Sequence, residues 1–541
     1  EPYRRQRQMC IRDSICSLWV MASFRFILCG GFRARIGWMN ERKIGIVISY
    51  VNIFLHALVG FLYVPLLLFY IGSSGYGLYQ LIGSFIAYFS IMDFGLTAAV
   101  VRFYAKYKAL NDIAGMENIL AISLRGYGFI AVFVLCIGSV CYFFLNQIFA
   151  GSMTAKEVGE AKSLFLLLLF NIALTLSTMV FRAVINAHEK FLFLKGAETV
   201  ELVLQPLLVI LVLRQYPSAF SVAMVQTLMN IILIFVRGYY CFEKLGIRIR
   251  FHYWDSKLIH EFKKLALSVF AISLIDQVFF KTNQVILGIV SGTFAVAVYS
   301  ISSLIYMNYM ALSNAISGVY LPHITKMVAR KEPVQKLSGL FIQIGRWQYF
   351  LLGLVATGFI IFGKRFIQIW AGDGFEDAYW ITLLIIIPFT IDLIQNIGLS
   401  ILQAQNHYDF RAKVYFGIGI LNLILAIPLG MKYGGIGCAF ATGFSMFIGN
   451  GLVMNWYYSS VTGLQIKEFW KQIIKISFRI VFCCIIGYFI NIMTMSGSNT
   501  VFVIKMISYT ILYSGVIYFT SMNREEKNKI CQLLRRSMWT G

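Results

Sequence analysis

Between Ile44 and Thr520 the sequence is a succession of apolar runs, each near or above about 18 residues, separated by short charged or polar breaks. A run of that length, coiled as a helix, crosses a hydrocarbon core of roughly 30 Å. Fourteen spans are read this way, centred in 44–70, 77–101, 120–145, 162–181, 197–213, 219–236, 265–290, 294–321, 339–362, 379–402, 413–430, 435–457, 476–494 and 500–520. The expected fold class is all-α, a polytopic membrane protein of about 14 transmembrane helices. Composition agrees: 59% of the 541 residues are hydrophobic and 13% charged, too little charge to cover a water-soluble surface of this size. The longest break, about 237–264, is too short for a separate domain.

The apolar runs also repeat. Tyr70-Ile-Gly72-Ser-Ser-Gly-Tyr-Gly-Leu-Tyr79, leading to Lys106, returns in altered form 220 positions later. Gly292 then stands opposite Gly72, Thr293 opposite Ser73, Val298 opposite Leu78, Tyr299 opposite Tyr79 and Lys326 opposite Lys106. An offset of 221 sets Arg125-Gly-Tyr-Gly-Phe129 against Arg346-Trp-Gln-Tyr-Phe350, and one near 217 sets Asn186–Phe191 against Gln403–Tyr408. Each repeat holds an even number of spans, so the copies are parallel, related by an axis along the membrane normal. Two six-helix lobes follow, an N-lobe over 39–240 and a C-lobe over 241–458, with an appended pair of spans and a tail over 459–541. Residues 1–38 are expected to be a non-native extension. Arginines there are scattered without period, Met39-Asn-Glu-Arg-Lys43 looks like a natural start, and Gln8–Ser14 resembles translated adapter read-through.

The net charge of +23 does not point to nucleic acid, because no soluble basic domain carries it. Twenty-nine Lys and Arg lie at breaks on the side of Met39, against six on the opposite side. The positive-inside rule then places both termini in the cytoplasm. Ten cysteines show no CxxC and no ligand spacing with His, so neither a disulfide framework nor zinc is expected. Gly358-Phe-Ile-Ile-Phe-Gly-Lys364-Arg365 lacks the Ser or Thr of a P-loop and lies inside a span, so ATP is not expected as a cofactor.

Gly72-Ser-Ser-Gly75-Tyr-Gly-Leu-Tyr79, Ile91-Met-Asp93-Phe-Gly95-Leu and Val101-Arg-Phe-Tyr104 together resemble the opening of the polysaccharide flippases, the O-antigen and capsule lipid-carrier transporters of the MOP exporter superfamily. The resemblance covers about Met39 to Thr520. It implies an inner-membrane protein, not an enzyme, that moves an undecaprenyl-pyrophosphate-linked oligosaccharide from the cytoplasmic to the periplasmic face for cell-surface polysaccharide biosynthesis. It also implies alternating access around a cationic cavity, with membrane lipids and other polysaccharide-assembly proteins as partners. A multidrug or small-cation exporter of the same fold is the alternative, and a polytopic polymerase or ligase a more distant one. Both fit less well: the span cations disfavour the first, and the short outward loops the second.

A charge within a bilayer is costly and normally faces a water-filled cavity or a partner. Lys281 lies near the middle of the seventh span, on one face with Gln277 and Gln284. Arg125 and Arg346 occupy matching positions in the third and ninth spans, and Arg can hold phosphate oxygens in pairs. These five are the expected substrate-binding residues. Asp93, Asp276, Asp392, Glu198 and Glu201 are intramembrane carboxylates, the candidates for coupling transport to H+ or Na+. The competing roles are structural: a buried Lys–carboxylate pair for Lys281, snorkelling for the arginines, helix kinking for Asp93, and pairing with Lys195 for Glu198.

Overall fold

The computed structural model describes residues 41–253, 256–405, 407–493 and 498–539; the extension expected over 1–38 lies outside them. Every regular element among the described residues is helical. The N-terminal series is α1 (Glu41–Ser90), α2 (Leu96–Ala109), α3 (Ile113–Phe149), α4 (Ala155–Ala187), α5 (Phe191–Leu213) and α6 (Ala219–Tyr239). Next come α7 (Ser256–Val290), α8 (Gly292–Ala329), α9 (Val334–Ala371), α10 (Asp377–Leu393), α11 (Ile397–Ala404), α12 (Tyr408–Met446) and α13 (Met454–Ser460). The chain closes with α14 (Ile466–Met493), α15 (Asn499–Val516) and α16 (Arg524–Trp539).

Ten helices among the described residues are long and apolar enough to cross a bilayer, or eleven if the bent pair α10 and α11 is one span. This is fewer than fourteen for a physical reason. Two of the ten, Phe54–Ala109 and Asp409–Ser460, run through backbone breaks at Gly72 and Gly434, and each covers two of the expected spans. Helix α7 occupies the place of the expected seventh span.

Gly72 (φ 70°) and Gly292 (φ 81°), opposite each other in the repeat, both take the left-handed conformation. Glycine enters that region without a Cβ clash. The second span ends in another break, a 3-10 turn at Ile91–Asp93 followed by Phe94 (φ 48°) and Gly95 (φ 70°). A residue with a side chain costs about 1–2 kcal/mol in that region, so contacts must hold Phe94 in place. Its ring packs 4.8 Å from that of Phe270.

The chain forms two compact units that cut across sequence order. Among the described residues, one comprises those up to Tyr63 with those of 92–140 and 166–270; the other comprises those of 64–91, 141–165 and from 271 onward. A boundary between them falls at the break after Ile91. In the first unit, Asn230 Nδ2 donates to Asn171 Oδ1 (2.5 Å) and Thr175 Oγ1 (2.7 Å), tying α6 to α4. In the second, the appended helices α14 and α15 dock on α9. Phe350, Ile361 and Phe362 pack against Ile476, Ile480, Cys483, Tyr509, Tyr513 and Ile517. Tyr513 OH donates to Phe350 O (3.0 Å) and Tyr509 OH to Thr357 Oγ1 (2.6 Å), so both buried phenols are satisfied. Large apolar side chains such as Phe235, Phe478 and Ile511 remain exposed along the long helices. Exposure on that scale suits lipid rather than water as the surrounding solvent.

Candidate functional site

Lys281 lies on α7 in the second unit. Among the described residues no hydrogen bond or ion pair reaches its ammonium, and no charged neighbour acts on it. One turn earlier on the same face, Gln277 Oε1 is buried without a partner. Gln284, the third member of the expected face, has a different role. It is 2% exposed, its Oε1 accepts from Ser84 Oγ, and its Nε2 donates to Ser300 Oγ (3.0 Å). Its amide, expected to meet substrate, bonds Ser84 and Ser300 and ties α7 to α1 and α8. Lys281 and Gln277 remain the open polar groups of that face.

The repeat-matched arginines also part ways. Arg125 is exposed, with its guanidinium 4.2 Å from the centre of the Phe251 ring. Arg346 is buried. Its Nε donates to Glu526 Oε1 (2.8 Å) and its Nη2 to Glu526 Oε2 (2.9 Å), a two-point pair. Nη2 also donates to Ser521 O (2.8 Å), and Nη1 to Gln472 Oε1 (3.2 Å). In this structure the guanidinium expected to hold phosphate is engaged by Glu526, Ser521 and Gln472 instead. The repeat said nothing of Glu526, which lies 180 positions further along the chain.

The carboxylates fall into three groups. Asp93 sits in the helix break, and its Oδ1 accepts from Thr97 Oγ1 (3.0 Å) and Tyr127 OH (3.1 Å). Those bonds brace the break between α1 and α2. Glu198 is held by Arg182 (2.9 Å) and Lys195 (2.8 Å), with Glu201 beside Arg237. Glu198 is thus paired structurally. Asp276 and Asp392 converge on one cation, Arg411. Asp392 lies 4.0 Å from Arg411, Asp276 is hydrogen-bonded to Tyr415, and the guanidinium lies 5.2 Å from the centre of the Tyr415 ring. Arg411 Nη1 also donates to Asn450 Oδ1. Two acids from α7 and α10 thus share one guanidinium on α12, which the sequence assigned to a loop.

Three further clusters escaped sequence reasoning. Asn283 donates to Tyr299 OH and Thr442 Oγ1 (both 2.7 Å), and Thr442 donates to Asn422 (3.1 Å), a buried neutral network in the second unit. In the first unit, Asn118 holds the chain after α6: its Oδ1 accepts from the backbone N–H of His252 (3.0 Å) and Tyr253 (3.2 Å), and its Nδ2 donates to Tyr253 O (2.9 Å). The third cluster is Glu157. Its Oε2 accepts from Thr154 N and Oγ1 (both 2.9 Å), and its Oε1 from Ser74 Oγ (2.6 Å) and Thr293 Oγ1 (2.9 Å). The local signal was present, since Thr154-x-x-Glu157 is a capping box. The long-range partners had none.

Among solved structures, the fold is similar to that of the lipid II flippase MurJ in an inward closed conformation, with a TM-score of 0.68 at 19% identity, covering 87% of this chain and 99% of that one. An inward-facing multidrug resistance MATE family transporter of the MOP superfamily aligns with a TM-score of 0.57 at 14% identity, covering 79% and 99%. The chain is therefore an all-helical polytopic membrane protein with the fold seen in these transporters. The model of the polysaccharide biosynthesis protein family matches residues 43–328, more than half the sequence, and the chain belongs to that family. A Shigella flexneri protein provisionally described as an O-antigen transporter is 21% identical over 421 residues, covering 75% of this chain and 96% of that protein. An Escherichia coli K12 protein with the same description is 24% identical over 158 residues, covering 29% and 37%.

Proposed function

We propose that this protein carries an undecaprenyl-pyrophosphate-linked oligosaccharide from the cytoplasmic to the periplasmic face of the inner membrane, by alternating access of the halves 39–240 and 241–458. Both termini are then cytoplasmic, and the end bearing Ser74 and Thr293 is periplasmic. The observation that carries the reading is the ammonium of Lys281, a cation within a span that no described carboxylate neutralises. A cation left unpaired in a bilayer is costly unless an anion arrives or water reaches it. A pyrophosphate headgroup supplies that anion, and Gln277 offers a polar neighbour for the sugar. Arg125, exposed toward the cytoplasmic side in this orientation, provides a first contact for the headgroup. The acids around Arg411 are the candidate coupling group, with H+ or Na+ as the ion.

The test is complementation in a deletion strain. Deletion is expected to leave the lipid-linked sugar on the cytoplasmic face. Lys281→Ala, at normal membrane level, is expected to reduce export at least about tenfold, the loss of roughly 1.4 kcal/mol of charge-assisted binding. Lys281→Arg is expected to restore part of it. Full export by Lys281→Ala would remove the basis of this reading.

A further inference from the structure

The outer half of the second span, residues 73–90, meets α7 and the start of α8 along a regular seam. All of these contacts lie within the second compact unit. Ser74 Oγ lies 3.0 Å from Thr293 Oγ1. A Cβ added at Gly77 would fall 1.9 Å from Thr293 O, so the two backbones touch there. A Cβ at Gly288 would meet the Leu81 side chain at 2.4 Å. Ser84 bonds Gln284, and Tyr88 OH lies 2.5 Å from Thr282 Oγ1. Positions 74, 77, 81, 84 and 88 are spaced alternately by three and four, the spacing that keeps one helix face against a partner. The seam ends just before the break at Ile91–Gly95, and Lys281 is the residue next to its last rung.

Glu157 caps the open end of this seam. One carboxylate oxygen takes hydroxyl hydrogens from Ser74 and Thr293, one from each side, while the other is held by Thr154. The neighbouring loop adds a second tie, Ser152 Oγ to Gly288 O (2.7 Å). Glu157 accepts from all four groups, three hydroxyls and the Thr154 N–H, so its negative charge strengthens every one of these bonds.

We propose that this seam is the outer gate of the transporter, and that Glu157 is the clasp that holds it shut. Opening toward the periplasm then separates Ser74 from Thr293, exposes the small-residue faces of Gly77 and Gly288, and brings the aqueous front to Lys281. The assignment of the seam to the periplasmic side rests on the proposed orientation. The gating itself does not depend on which cargo moves.

Two experiments test it. In a chain lacking Cys136 and Cys141, Ala297→Cys places a thiol beside Gly77, where it is fully buried in the shut seam. A membrane-impermeant maleimide added from the periplasmic side is expected to label it slowly. Glu157→Gln, which removes the negative charge from these hydrogen bonds, is expected to raise that labelling at least about threefold, as the loss of charge assistance in one or more of them requires. Unchanged labelling would show that Glu157 does not hold the gate. Independently, Ser74→Cys with Thr293→Cys is expected to form a disulfide under mild oxidant, to stop export and to release it on reduction. Failure to cross-link, or full export by the cross-linked protein, overturns the gate. Maleimide labelling reports opening without any cargo. A gate that responds in a protein that exports no lipid-linked sugar would therefore refute the function reading and leave the gate standing.

Discussion

The buried pair Arg346–Glu526 gives the sharpest prediction, because it separates a structural arginine from a substrate-binding one. Arg346→Ala removes two bonds to Glu526, one to Ser521 O and one to Gln472. It leaves Glu526, whose side chain is 3% exposed, as an uncompensated carboxylate. Breaking such a pair from one side costs about 3–5 kcal/mol, whereas replacing both members with apolar residues of similar volume is often neutral. Arg346→Ala and Glu526→Ala are each expected to lower the half-inactivation temperature of the detergent-solubilised protein, read by fluorescence-detected size exclusion. The pair Arg346→Met with Glu526→Leu is expected to recover most of that loss, giving a coupling of about 2 kcal/mol or more. Export is the second readout. A folded double variant that still exports confirms that Arg346 docks the tail helix α16. A double variant as stable as the native protein but inactive, beside an active Glu526→Gln, would return Arg346 to the cargo and refute the structural reasoning.

Two further outcomes follow from the first unit. His188 lies just beyond α4, where Lys108 Nζ (2.9 Å) can only donate to its Nδ1, so Nε2 carries the hydrogen that faces Tyr104 OH (3.1 Å). Burial first, then the nearby Lys108 and Lys190, pushes the imidazole from 6.5 down to about 4. The unfolded chain therefore takes up this proton at higher pH than the folded one. The contribution of His188 to stability is complete above pH 6.5 and declines as pH falls toward 4. Thermal stability measured across that window is expected to slope down with acid and to flatten in His188→Gln; an equal slope in both would refute the assignment. Asn118→Ala removes three bonds to the chain at His252 and Tyr253 and is expected to cost about 1–3 kcal/mol. Its direct signature is faster amide hydrogen exchange at those two residues, and unchanged exchange would show that the clamp is not holding them.

Much of the architecture was legible in the sequence because its causes are local. The length of an apolar run against the thickness of a bilayer sets a span, and the left-handed turns at Gly72 and Gly292 follow from a residue type that tolerates positive φ. The intramembrane lysine was equally legible, since one ammonium among apolar neighbours needs no partner to be noticed. The expected fourteen spans and the ten helices differ where two helices continue through glycine breaks, where α10 and α11 form a bent pair, and at α7, which is not among the ten.

The roles of the charged residues were decided elsewhere. Arg125 and Arg346 are equivalent by repeat, yet one lies exposed over Phe251 while the other is locked by a glutamate 180 positions away. Asp276 and Asp392 were read as separate acids and share Arg411. Glu157 carries no long-range signal in the sequence, yet it bridges Ser74 to Thr293. The sequence by itself determined the number of apolar segments, their repeat and the presence of costly charges within them, because burial in lipid acts on each segment alone. Only the tertiary structure decided which charges are neutralised and which stand free, because a hydrogen bond or ion pair depends on a few ångströms between groups that the chain order keeps far apart.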